Sequence, residues 1–276
     1  MKDTFNVGII GRGFVGGAIE QHLLKNNCNV LSYDISDYSL EASQGYNKIV
    51  EHSDIIYVCV PTPQKNDGSF CKDILDMSIG LVSFFASAKN KDVLVLIKST
   101  MMPGTADDLQ QKYPNISIAV NPEFLTERTA FEDVSNTTKH LIGINDDGKY
   151  SLVESFCSKF WKDSQCVRAT RLQAEIIKYT TNSFYSVKVA FANNIYELCK
   201  TICVDYQETS DKMIEVDPRV GELHWQVPGH DGKFGFGGKC FPKDLNGMIS
   251  LFTMLDIDCS ILNAAKNYND KIRNNK

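Results

Sequence analysis

A short apolar run, Phe5–Ile10, ends in Gly11-Arg12-Gly13-Phe14-Val15-Gly16 and passes straight into a stretch with helical spacing. Few junctions restrict a fold as much. In a G-x-G-x-x-G between strand and helix, the first glycine permits the tight turn and the second lets backbone approach a pyrophosphate. The third lets the helix pack closely on the strand. The helix N-terminus behind it offers N–H donors to phosphate. The next apolar run, Asn29–Tyr33, leads into Asp34, about 20 residues on, where a carboxylate accepts from the adenine-ribose hydroxyls. An acid there, with no Arg or Lys in Ile35–Tyr38, repels a 2′-phosphate, so NAD rather than NADP is the expected cofactor. Gly11, Gly13, Phe14, Val15, Gly16 and Asp34 are its candidate contacts.

The rest of the first half agrees with that junction. Further apolar runs at Asp54–Val60, Val93–Ile97, Ser117–Val120 and His140–Ile144 alternate with amphipathic stretches such as Ala18–Lys25, Ile74–Ala88 and Thr105–Lys112. Strands separated by helices of this length predict a Rossmann-like, doubly wound parallel sheet. Runs apolar nearly throughout, such as Ile55–Val60, suit strands covered on both faces. From about residue 165 the pattern changes. No Gly or Pro interrupts Arg171–Cys203, where Ile177, Phe184, Val187, Phe191, Ile195 and Leu198 recur at helical spacing. One long helix followed by shorter ones is expected. The predicted organisation is an NAD-binding domain over 1–169 and an all-helical dimerisation domain over 170–276, with the long helix as the seam of a homodimer.

Bulk properties exclude several classes. A net charge of −5 gives no general attraction to nucleic acid or to an anionic membrane. No apolar run approaches the roughly 18 residues of a membrane span, and Met1–Phe5 lacks a secretion signal, so a cytoplasmic enzyme is expected. Nine cysteines is a high and odd number, without the paired spacing of a zinc site, so no metal is expected. Most read as small buried hydrophobes.

Cys240 is the exception. The segment Val227–Asp244 carries a glycine-rich loop to a cysteine at an expected helix start, with Pro242 suited to the first turn. Lys239, Lys243 and that helix N-terminus all favour thiolate. Asp244, four residues on, shares the cysteine's face if the helix begins early enough. A thiol and a carboxylate delivered together suit a nucleophile with an acid–base partner. Two more pairs spaced four apart, Glu123 with Glu127 and Lys178 with Asn182, fall in segments read as helical, though such pairs also occur on solvated helix faces. Thr62 and Thr100 follow strand ends, where open parallel sheets bind ligands; capping the next helix is their plainer role.

The motifs together carry more than any one of them. G-x-G-x-x-G, V-P-T-P, K-S-T, N-P-E-F-L-x-E, A-E-I-I-K-Y-x-x-N, D-x-R-V-G and G-F-G-G-K-C-F-P-K-D follow one another along nearly the whole chain. This order resembles the UDP-glucose 6-dehydrogenase group of the UDP-glucose/GDP-mannose dehydrogenase superfamily. The resemblance implies NAD-dependent, four-electron oxidation of the C6 alcohol of a nucleotide sugar, UDP-glucose first. Cys240 is then the nucleophile, and Lys178, Asn182 and Asp244 surround the reacting carbon. Thr100 and Glu127 contact cofactor or catalytic water, and Thr62 and Lys243 contact cofactor. Glu123, Phe124, Leu125, Arg219 and Gly237 join Lys178 and Asn182 at the substrate, Arg219 reaching that of the partner subunit.

The chain also departs from the family pattern. Members continue into a second nucleotide-like domain that grips the uridine diphosphate, whereas this chain stops at Lys276, so the expectation is a short form lacking that domain. Ala192-Asn193-Asn194 stands where Asn-Glu is usual. The loop Pro228–Gly238 is extended by His230-Asp231-Gly232-Lys233-Phe234, and Phe234 reads as the replacement of a basic residue. Two rivals share many of these features. A dehydrogenase of the 3-hydroxyisobutyrate type transfers one hydride and needs no cysteine, and a regulatory protein binds NAD without turnover.

Overall fold

The computed structural model of the protein describes residues 4–37, 41–65 and 67–274. The cation-poor stretch Ile35–Tyr38 is therefore described to Asp37, and Met1–Asp3 and the terminal Lys276 lie outside the described residues. Seven strands alternate with helices: β1 (Asn6–Ile10), α1 (Phe14–Lys25), β2 (Asn29–Tyr33), α2 (Ala42–His52), β3 (Ile55–Val58), α3 (Asp73–Ala88), β4 (Leu94–Ile97), α4 (Thr105–Lys112), β5 (Ser117–Val120), α5 (Ala130–Ser135), β6 (Lys139–Gly143), α6 (Asp147–Phe160) and β7 (Gln165–Ala169). The helical remainder is α7 (Arg171–Thr201), α8 (Tyr206–Val216), α9 (Phe241–Met254) and α10 (Ser260–Asn274).

The chain folds as two compact units. One comprises Met1–Pro63 and Phe70–Lys178, the other Gln64–Ser69 and Tyr179–Lys276, so the division falls within α7.

In the first unit the strand order is β2-β1-β3-β4-β5-β6-β7. Parallel pairing runs from β2 through β5, as the apolar runs predict. The sheet is not parallel throughout: β6 meets β5 antiparallel at Val120 and Gly143, and β7 pairs parallel with β6. The strand β7, absent from the sequence reading, is a mostly exposed edge without the apolar run that marks the others.

The period of two along the central strands divides the core. Val7, Ile9, Ile55, Tyr57, Leu94 and Leu96 pack with residues of α1, α5 and α6, while Ile10, Ile56, Val58, Val95 and Ile97 pack with α2, α3 and α4. Helices thus cover both faces, which is the doubly wound arrangement. Because β1, β3, β4 and β5 run the same way, their carboxyl ends share one edge of the sheet. The segments after Ile10, Val58, Ile97 and Val120 all leave there, and these carry the glycine turn, Thr62, Thr100 and Glu123.

Among its described residues the second unit is mainly helical, with a long connection between α8 and α9 that includes the 3-10 turn Pro218–Val220. Its cores are small. Ala192, Cys199, Tyr206, Trp225 and Val227 make one, and Ala190, Phe236, Leu245 and Ala265 another. Residues 221–240 contain no helix or strand, yet they lead directly to Cys240.

Candidate active site

The first unit holds the glycine turn in a conformation only glycine tolerates. Gly11 has φ 89°, and a Cβ there would lie 2.6 Å from the Cys59 carbonyl oxygen. A Cβ at Gly16 would lie 1.9 Å from the Gly11 carbonyl oxygen, so helix and strand approach as the motif requires. Around Gly13 the space is open: a Cβ there meets no atom within 4 Å. No side chain caps the N-terminus of α1, which starts at Phe14 and Val15 rather than at Ala18. Open space beside uncapped first-turn donors fits a pyrophosphate.

Asp34 follows β2 as expected. Its carboxylate accepts from the Arg12 N–H at 2.6 Å, the Ser36 N–H at 3.0 Å and the Ser36 hydroxyl at 2.7 Å. These bonds, that of Arg12 foremost, hold its pKa below the ordinary value. The sequence reading passed over Arg12 itself, a cation inside the phosphate turn. Its guanidinium is paired at 3.2 Å with both Glu20 and Asp37.

At the ends of β3 and β4, the Thr62 hydroxyl donates to the Thr100 carbonyl at 2.5 Å and Ser99 donates to the Val60 carbonyl at 2.6 Å. These bonds tie the two loops together. Lys98 lies beneath them, its pKa lowered by burial, with Nζ 5.9 Å from the Tyr57 ring centroid.

The segment after β5 departs from expectation. Residues 121–126 form no helix or strand, and Glu127 opens a single 3-10 turn to Thr129. Glu123 and Glu127 are therefore not a helical pair. Side-chain bonds to the backbone replace helix here: Glu123 accepts from the Leu125 N–H at 2.7 Å, and Asp133 from the Thr126 N–H at 2.8 Å. Glu123 is buried and Glu127 exposed. The Lys178 ammonium donates to the Glu123 carbonyl at 2.5 Å and lies 3.0 Å from its carboxylate, with the Phe124 ring centroid at 5.2 Å. An ammonium held against a carboxylate in a buried setting can present a fixed positive charge to a developing oxyanion. Beneath this segment is a cavity of about 350 Å³, reached by Lys98, Asn121, Glu123 and His140. Burial pushes the His140 pKa down to about 3, so its imidazole is neutral.

The second unit contains the remaining candidates. Asn182, one turn beyond Lys178 on α7, is buried and donates to Asp244 Oδ2 at 2.5 Å. Asp244 is 1% exposed, and Lys243 Nζ lies 2.8 Å from its Oδ1. Cys240 is the N-cap residue of α9, partly exposed, and its carbonyl accepts the Asp244 N–H at 2.8 Å. Cysteine and carboxylate thus bracket the first helical turn, with Pro242 in it. Gln64 secures that turn by donating to the Lys243 carbonyl at 3.1 Å. Arg219 is exposed on the 3-10 turn Pro218–Val220, gripped by both carboxylate oxygens of Asp217 at 2.7 Å. Gly237 belongs to the loop before Cys240.

Residues 36–161 match the NAD binding domain of the UDP-glucose/GDP-mannose dehydrogenase family, and residues 172–271 match its central domain. The chain belongs to the UDP-glucose/GDP-mannose dehydrogenase family. Among curated members, it is 27% identical over 296 residues to a GDP-mannose 6-dehydrogenase of Pseudomonas syringae pv. tomato, covering 94% of this chain and 66% of that protein. It is 31% identical over 242 residues to a UDP-glucose 6-dehydrogenase of Rickettsia bellii, covering 86% and 52%. A solved UDP-glucose dehydrogenase from the archaeon Pyrobaculum islandicum superposes with a TM-score of 0.84 at 25% identity, over 97% of this chain and 68% of that one. The chain spans about half to two-thirds of the length of these curated relatives.

The family match makes the first unit an NAD-binding domain. The glycine turn lies ahead of the matched residues, so its open cradle and Asp34 are independent support for the same cofactor. Sequence reasoning missed Glu175, which stands inside the family motif A-E-I-I-K. It is buried and accepts from the N–H groups of Gly104 at 2.7 Å and Ala106 at 2.9 Å, anchoring the start of α4. Its position three residues before Lys178 was the available signal. Among the described residues no helix is long and apolar enough to cross a membrane.

Proposed function

We propose that this protein oxidises the C6 primary alcohol of a nucleotide sugar, UDP-glucose first, to the carboxylate, using two NAD⁺ per sugar. The observation that carries this reading is Cys240 at the N-cap of α9, one helical turn ahead of the buried Asp244, whose carboxylate is fixed by Asn182. The balance is R–CH₂OH + 2 NAD⁺ + H₂O giving R–COO⁻ + 2 NADH + 3 H⁺. NAD⁺, when bound at the glycine turn and Asp34, supplies the hydride acceptor; Thr62, Thr100 and Lys243 join its contacts.

Asp244, or a water it orients, takes the hydroxyl proton as the first hydride leaves C6. The Cys240 thiolate then adds to the aldehyde carbon, and the new C–S bond keeps the aldehyde from escaping. Loss of the second hydride from this thiohemiacetal leaves a thioester on Cys240. Water, activated by Glu127, adds to the thioester carbon and the C–S bond breaks. Lys178 and Asn182 stabilise the oxyanions of both additions, and Glu123 keeps Lys178 aimed. Glu123, Phe124, Leu125 and Gly237 line the sugar. A single hydride transfer would require none of the cysteine apparatus.

The test is NADH yield and rate with UDP-glucose and GDP-mannose in parallel. Two NADH per sugar are expected, and Cys240→Ser should lower the rate of carboxylate formation at least about 10³-fold, in the range by which nucleophiles matter. One NADH per substrate, or an undiminished rate in Cys240→Ser, would move the protein to the two-electron class. NAD binding without turnover on every nucleotide sugar would make it a regulatory protein.

We also propose a homodimer through α7, with Arg219 reaching the partner's substrate. Ile177, Phe184, Phe191 and Leu198, seven residues apart, are exposed on α7, whereas Val187 and Ile195 pack inward. An apolar stripe of period seven is a helix-pairing seam. Sedimentation should give a dimer for the parent and a monomer for Phe191→Glu; a parent monomer would end the idea. A chain with nine cysteines suits a reducing, cytoplasmic setting.

A further inference from the structure

Residues 221–240 deliver Cys240 without any helix or strand of their own, so side chains from elsewhere in the second unit must fix their course. Three do so. Asn193, on α7, accepts the Gly235 N–H at 2.9 Å through Oδ1 while its Nδ2 donates to the Val189 carbonyl at 2.8 Å. Asn269, on α10, accepts the Phe236 N–H at 2.7 Å. Arg273, one turn further along α10, donates to the Phe234 and Gly235 carbonyls at 3.1 and 3.2 Å and to Asp231 at 2.7 Å. Asn193 is 2% exposed and Asn269 4%.

The glycines of G-F-G acquire a reason from this. A Cβ at Gly235 would lie 2.3 Å from Asn269 Oδ1, and one at Gly237 2.3 Å from Arg273 Nη2. Gly235 also has φ 71°, which favours glycine on its own account. The phenylalanines on either side of Gly235 go different ways, Phe234 against the core of Trp225 and Tyr206, Phe236 into that of Leu245 and Ala265. Phe234 thus serves as an apolar anchor where a basic residue was expected, and Asp231 of the extended loop is Arg273's partner.

We propose that Asn193, Asn269 and Arg273 are positioning residues that clamp the glycine loop and thereby set where the Cys240 sulfur is presented. This rests on the reading of Cys240 as the nucleophile. They act through residues 231–236. The paired donors of Arg273 matter because a guanidinium bridges two adjacent carbonyls and a carboxylate at once, which a single ammonium cannot. A displacement of about 1 Å at a reacting group can cost on the order of 10²-fold in rate.

The experiment uses the full chain and follows iodoacetamide alkylation of Cys240 against pH by peptide mass spectrometry, with exposed Cys203 as internal reference. In Arg273→Ala, alkylation of Cys240 relative to Cys203 at pH 7 should fall about 5-fold or more and its pH profile move to the alkaline side. Millimolar guanidinium should restore part of the loss, and Arg273→Lys should be intermediate. Where turnover is measured, kcat should fall with KM for NAD⁺ within about 2-fold. Should Arg273→Ala fail to fold, Arg273→Lys and Asn193→Ala carry the test. Unchanged Cys240 profiles in the folded variants would overturn the clamp. Failure of the nucleophile reading is recognised separately, by Cys240→Ser retaining two NADH per sugar.

Discussion

The two units hold their reactive side chains by opposite means. In the first, Thr62, Thr100 and Glu123 stand just beyond parallel strands whose registers are set by successive backbone ladders. Side-chain bonds such as that of Thr62 to the Thr100 carbonyl then join loops whose starting points the ladders have already set. In the second, Cys240 ends a 20-residue connection whose backbone is tied down by Asn193, Asn269 and Arg273. Changing one side chain there should move the site without unmaking the fold. The cysteine loop can therefore take up an insertion such as His230–Phe234 without disturbing the ladders of the cofactor edge.

The contrast is sharpest at Lys178 and Arg273. Lys178 forms a buried ion pair with Glu123, and truncating one partner leaves an uncompensated buried charge, a loss of about 3–5 kcal/mol. Lys178→Ala should lower unfolding free energy by that amount in urea titration. Arg273 is partly exposed and pairs with the half-exposed Asp231, so Arg273→Ala should cost only about 1 kcal/mol. Equal losses in the two variants would erase the distinction.

How much of this could be read from the chain follows the same division. The strands of the central sheet are legible because each is apolar on both faces, and the glycine turn because its three glycines fall within six residues at a strand–helix junction. Lys178, Asn182, Cys240 and Asp244 were legible because each pair is one helical turn apart. The helix assigned to Glu123 and Glu127 was wrong because periodicity does not see Glu123 and Asp133 bonding to backbone N–H groups. The clamp was illegible for a simpler reason: Asn193 and Arg273 lie some forty residues from the loop they hold. Arg12 was in plain view, but its partners Glu20 and Asp37 mean nothing until α1 and β2 lie side by side.

Glu175 tests whether the cofactor edge has a weak point. Burial foremost, opposed by its two backbone bonds, raises its pKa from 4.5 to about 7. In the unfolded chain it ionises near 4.5, so from there upward the unfolded state gains what the folded state does not. The contribution to stability is whole below pH 4.5 and is lost as pH rises through 7, to a limit of about 3 kcal/mol. Glu175→Gln removes that titration. Its unfolding free energy relative to the parent should rise between pH 4 and pH 8 by up to this amount. A variant-to-parent difference that stays constant with pH would mean Glu175 is ionised throughout, and the anchor of α4 would be a charged one.

The smallest effect concerns cofactor choice and asks whether the sheet edge is as insensitive to single side chains as the ladders imply. Arg12 sits in the phosphate turn and would be a natural partner for a 2′-phosphate, yet Glu20 and Asp37 both engage its guanidinium, and Asp34 adds another negative charge nearby. Selection for NAD is then a matter of neutralising an available cation as well as repelling the phosphate. Asp37 also accepts the Asp34 N–H at 3.0 Å, a bond that a serine hydroxyl can accept in its place, so Asp37→Ser keeps Asp34 for the ribose hydroxyls and frees Arg12 from one of its two carboxylates. Affinity for NADPH, followed by its fluorescence on binding, should rise about 5- to 10-fold, about 1 kcal/mol for one released charge–charge contact near the surface. Affinity for NADH should change less than about 2-fold. Asp34→Ser should instead weaken NADH, because it removes the acceptor itself. Were Asp37→Ser to leave NADPH binding where it was, Asp34 alone would govern the choice, and Arg12 would be a surface cation held by its neighbours to no functional end.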